Sequence, residues 1–99
     1  MTISGTQLEV SESEAILRVA PSSSAKSLAA ALSHAVYDGK RVTLRAVGAG
    51  AVNQAVKAIA IAQSYVGQRG LVLNCRPGFT TVEMPDGTVS GIVLRVFPS

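Results

Sequence analysis

A Gly-Ala-Gly turn, Gly48 to Gly50, passes directly into an alanine-rich segment with apolar residues on almost every side, AVNQAVKAIAIAQSYV. Its spacing predicts a helix over Ala51–Val66. At about 100° per residue, Asn53, Lys57 and Ser64 form a narrow polar stripe. Ala55, Ile59, Ala62 and Val66 form the face that should meet a sheet, and Ala58, Ile61 and Tyr65 form an apolar patch beyond the stripe. A helix apolar on nearly all sides must be covered on nearly all sides. A chain of 99 residues offers one modest core. The patch of Ala58, Ile61 and Tyr65 is therefore either covered by another helix of the same chain or is the interface of a homodimer.

Other segments supply the sheet and the second helix. AILRVA, Ala15–Ala20, reads as a strand ended by Pro21. Ser22, Ser23 and Ser24 are candidate N-caps for a helix whose apolar face is Leu28, Ala31, Leu32, Ala35 and Val36, with Gly39 beyond its end. VTLRAV, Val42–Val47, is a second strand running into Gly48. Leu71–Cys75 forms a third, apolar and β-branched enough to be central, and Arg76-Pro77-Gly78 reads as a bulge or kink within it. Strand character resumes from Phe79 to Met84, turns at Pro85-Asp86-Gly87, and returns over Val89–Phe97. The order β-α-β-α-β-β implies an α/β two-layer sandwich, a four-stranded mixed sheet with two helices on one face. The other face of such a sheet is solvated or an interface. Residues 1–14 carry Glu9, Glu12 and Glu14 and no Lys or Arg, and read as an acidic leader, flexible or loosely docked, before a single domain over residues 15–99.

The formal charge of +3 is unevenly spread: all nine basic residues lie in 15–99 against three acidic ones, a net +6. Such a body favours polyanion partners. The N-terminus lacks the pattern of a signal peptide and no apolar run is long enough to span a membrane. The lone Cys75 excludes an intramolecular disulfide and fits a reducing compartment, so a cytoplasmic protein is expected. Cys75 itself reads as a small buried hydrophobe in a strand. The single histidine, His34, has no partner for a metal site or for proton transfer and reads as a surface residue. No carboxylate pair, metal-ligand cluster or Ser-His or Cys-His pattern points to an enzyme, and no cofactor is expected.

GAGAVN lacks the third glycine of a dinucleotide fingerprint, and no Gly-Lys-Ser/Thr follows it. A tight strand-to-helix turn explains it. The same turn opens a helix N-terminus, whose unpaired N–H groups suit an anion. Arg45 precedes that turn, and Asn53 and Lys57 follow one and two turns in, so one or two nucleic-acid phosphates could rest there. Tyr37 and Phe79 either stack on bases or pack peripherally. Lys26, Arg76 and Arg95 become relevant to binding only if they share a face with Arg45 and Lys57.

The segment GAGAVNQAVKAIAIA, Gly48–Ala62, resembles the signature of the stage V sporulation protein S family. AILRVAPSSSAKSLAAAL resembles that family's first strand and helix, and GLVLNCRPGFTTVEMPDGTVSGIVLRVFP its terminal hairpin. The family is similar to Alba-type nucleic-acid-binding proteins. The resemblance implies homodimers that grip a DNA or RNA backbone through the loop before the first helix, the start of the second helix and a hairpin arm. It implies a regulatory role in spore development and cell division. The matching positions are Ser22, Ser24 and Lys26, then Arg45, Gly48, Gly50, Asn53 and Lys57, with Arg76 added as a nearby cation. Two departures stand out: Ser22 occupies a loop position where the family tends to have Lys, and the hairpin tip is short and acidic. The expected function is thus a non-enzymatic nucleic-acid-binding regulator with little sequence specificity. The alternative is a protein–protein adaptor.

Overall fold

The computed structural model describes residues 13–99 in full and the backbone of residues 2–3 and 6–10. Strands β1 (Thr2–Ile3), β2 (Thr6–Val10) and β3 (Glu14–Val19) precede helix α1 (Ala25–Tyr37). Strand β4 (Arg41–Ala46) leads to helix α2 (Ala49–Val66) and a 3-10 turn at Gly67–Arg69, and strands β5 (Leu73–Met84) and β6 (Gly87–Pro98) form the final hairpin. The sheet order is β1-β2-β3-β4-β6-β5. The expected four strands are β3, β4, β6 and β5, and only β3 and β4 are parallel among them. The leader was expected to be loose, yet residues 6–10 pair antiparallel with β3, Leu8 opposite Leu17, and extend the sheet at that edge. The rest of that expectation lies outside the described residues.

Alternation along the strands builds the core. Ala15, Leu17 and Val19 of β3 stand in register with Val42, Leu44 and Ala46 of β4. Those in turn face Val96, Leu94 and Ile92 of β6. All but Ile92 are buried, and they pack with Leu28, Ala29 and Leu32 of α1 and Ala51, Ala55, Ala58 and Ala62 of α2 in one cluster. Residues of one parity in three strands touch both helices, so both helices lie on one face of the sheet. No helix among the described residues is long and apolar enough to cross a membrane.

Local chemistry sets the ends of α1. Ser24 accepts a hydrogen bond from the Ser27 N–H at 3.2 Å, an N-cap. At the other end Gly39 sits at φ +75°. The Gly39 N–H bonds to the Val36 carbonyl and the Lys40 N–H to the Ala35 carbonyl, which makes a Schellman stop. The start of β5 is tied to α2 by Gln63, whose amide donates to the Leu71 carbonyl at 3.0 Å and accepts from the Leu73 N–H at 2.7 Å.

Two expectations about β5 are corrected. It is the edge strand, with β6 in the central place, and no bulge occurs at Arg76-Pro77-Gly78: the register with Arg95, Leu94 and Val93 is continuous. An edge strand leaves one side of its backbone without a strand partner, so a proline without an N–H is tolerated there. A further correction concerns α2. Ala58 is fully buried, and Ile61 packs against the core cluster, because α1 lies alongside. Of the patch expected at a dimer interface, Tyr65 alone remains exposed, at 40%. The helix of the same chain provides the cover. Ala58→Leu should therefore destabilise the isolated chain by about 1–3 kcal/mol through overpacking, read by urea titration. A change below about 0.5 kcal/mol would mark an exposed position instead.

Candidate nucleic-acid interface

Because β3 and β4 are parallel, α1 and α2 both begin at the same end of the sheet. The loop from β3 to α1 and the turn from β4 to α2 meet there. Ser23 is 1% exposed and organises the loop: its hydroxyl accepts from the Ala20 N–H at 2.8 Å, and its own N–H donates to the Ala20 carbonyl at 3.0 Å. Gln54 of α2 donates to the Ser23 carbonyl at 2.8 Å and so bridges the two helix starts. Gly50 completes the contact. A Cβ there would lie 3.2 Å from the Pro21 Cβ, so the missing side chain lets Pro21 seat against α2.

Gly48 is the N-cap of α2 at φ +89°, ψ 158°, and brings no side chain to cap it. Neither α1 nor α2 has an acidic residue in its first turn. Both positive dipole ends are therefore left without a neutralising carboxylate of their own helix, which favours an external anion. Ser22, Ser24 and Lys26 are exposed at the start of α1; on α2 Asn53 is exposed in the second turn and Lys57 one turn further along. Ser24 uses a lone pair for its cap, and its O–H proton can still donate.

The structure does not bring Arg45 and Arg76 to this group. Val42, Leu44 and Ala46 point to the helices, so Arg45 points to the opposite face of β4. Arg76 is paired with Arg95 on that same opposite face. Lys57 and Arg45 thus stand on different sides of the molecule. The period-two pattern of VTLRAV carried this signal: a strand that buries Val42 and Leu44 must turn Arg45 away. The expected convergence of Arg45 with Lys57 is corrected on that ground.

Residues 15–99 match the family model for stage V sporulation protein S (SpoVS). The chain belongs to this family. The SpoVS match begins at the second residue of β3 and leaves β1 and β2 outside it, while both helix starts and the hairpin lie within it.

Within this SpoVS domain the two aromatic candidates separate. Tyr37 lies at the far end of α2 from the helix starts: its hydroxyl donates to the Tyr65 carbonyl at 3.4 Å, and the Arg69 guanidinium lies 4.3 Å from its ring centroid. Phe79 is 87% exposed. It stands in register with Ile92, which faces Ala46 in turn. Two strand spacings of about 4.8 Å therefore put Phe79 roughly 10 Å from Ala46, beside the start of α2. Its alternation with Arg76 and Gly78 did not reveal this exposure, because it depends on how far the helices reach over the hairpin. Cys75 differs from expectation in being exposed. Desolvation by its neighbours raises its thiol pKa, so it is the thiol and not the thiolate at neutral pH. His34 is on the surface, as its position on α1 suggested.

The ψ and positive φ of Gly48 belong to a region that only glycine occupies without strain. Nothing lies within 4 Å of a Cβ built there, so the cost of a side chain is purely conformational. Gly48→Ala should lower stability by about 1–3 kcal/mol in a urea titration. An unchanged midpoint would show that this turn is not the fixed frame of the site.

Proposed function

We propose that this SpoVS family member is a non-enzymatic, cytoplasmic regulator that binds DNA or RNA by its phosphate backbone, with little reading of sequence. One observation carries the proposal: two helices start side by side without acidic residues in their first turns, held together by Ser23, Pro21, Gly50 and Gln54. Ser22, Ser24, Lys26 and the α2 residues Asn53 and Lys57 then supply hydroxyl, amide and ammonium donors on the exposed side. Phosphate contacts position a protein on nucleic acid and carry no base information. The net +6 of residues 15–99 supports the same reading through long-range attraction. Sporulation is the context that family membership supports.

A second reading, a protein–protein adaptor, draws on the exposed ring of Phe79 on the hairpin. The two readings part on salt and on sequence. For backbone binding, anisotropy titrations with duplex DNA should show affinity falling steeply between low and physiological salt. Lys57→Ala should weaken all duplex sequences alike and reduce the salt slope by about 1. Binding insensitive to salt, or no binding at all, would favour the adaptor, which in turn requires that Phe79→Ser abolish partner capture.

A further inference from the structure

We propose that the sheet face turned away from the helices binds single-stranded nucleic acid. It is a surface separate from the helix-start site. Five of the six arginines lie on it. Alternation in β3 and β4 turns Arg18, Arg41 and Arg45 outward, and β6 and β5 add Arg95 and Arg76. The sixth, Arg69, lies over Tyr37 at the far end of α2. Glu14 supplies the single carboxylate among the side chains described on that face, and β2 borders it with Glu9 in register with Ile16.

The register concentrates this charge. Arg18 stands directly opposite Arg45, and Arg76 directly opposite Arg95. Like charges placed opposite one another across a ladder destabilise a sheet, and an anion laid between Arg76 and Arg95 removes that cost. Gly78 makes room for one of these groups: a Cβ there would lie 3.3 Å from the Arg95 guanidinium. The cations border a depression of about 520 Å³ lined by Arg41, Arg76, Arg95, Glu14, Ile16 and Phe97. Its lining includes an aromatic ring, Phe97, 38% exposed, with the Arg76 guanidinium 6.0 Å from the ring centroid.

An arginine fork beside a partly exposed aromatic ring, with further arginines around it, suits a phosphate and a base together. A duplex offers this face its phosphates and keeps its bases stacked inside, out of reach of Phe97. A single strand offers both, and four strands at about 4.8 Å spacing give a platform roughly 14 Å wide, room for two or three nucleotides. An acidic protein segment would satisfy the charge and leave the ring without a planar partner.

The test is anisotropy with labelled single-stranded and duplex oligonucleotides of about twelve nucleotides, using the full chain. The double variant Arg76→Gln/Arg95→Gln should lose about tenfold or more in single-strand affinity and less than about threefold for duplex. Phe97→Leu should weaken single strands alone, and Arg69→Gln should do neither. Relief of the cross-strand repulsion should leave the double variant melting no lower than the parent, which shows that it folds. The proposal is overturned if the double variant binds single strands like the parent, or if Arg69→Gln is equally harmful. It is also overturned if sedimentation shows that the double variant dissociates a dimer of the parent, which would make this face a subunit interface. Loss of duplex binding on Lys57→Ala with single-strand binding intact would leave the two surfaces independent.

Discussion

Alanine at successive turns of α2 is the constraint on which the rest depends. Ala51, Ala55, Ala58 and Ala62 have no measurable exposure. Their small side chains let the helix lie close to the sheet and to α1 at once. That single close approach closes the core. It also sets the height at which α2 begins, and so lets Pro21 seat on Gly50 and Gln54 reach the Ser23 carbonyl. A bulkier stripe would lift α2 away, and the two helix starts would no longer share one surface.

The sheet divides the cations between two environments. On the helix side, Lys26 in the first turn of α1 and Lys57 about two turns into α2 are ammonium groups, suited to a backbone phosphate as point charges. On the far side, arginines alone are used, and three of them line a depression that also holds Phe97. Lysine is a compact, strongly hydrated charge, whereas the guanidinium is planar and stacks. The division by residue type matches the division by surface, and it gives each surface a different kind of anion to recognise.

Much of this was legible in the chain. The serine cap and Gly39 stop of α1 were visible because capping is local chemistry. The aliphatic alternation of β3, β4 and β6 was visible because a half-buried strand repeats every two residues. The same alternation contained the outward direction of Arg45, and Arg76-Pro77-Gly78 contained the signal for an edge strand, since proline cannot donate to a ladder. The cover over Ala58 was not legible. A helical wheel gives the direction of a side chain but not which neighbour lies there.

The sequence by itself determined both helices, the strands β3, β4 and β6 and the two faces of each, because these follow from backbone sterics, capping and hydrophobic period. It also determined the family. Only the tertiary structure decided the order of the strands, with β6 between β4 and β5. Strand order is a choice among pairings distant in sequence, settled by which ladder buries most apolar surface and tolerates Pro77 at an edge. That order brings Arg76 and Arg95 beside Arg41 and Arg45, and leaves Lys57 on the opposite side.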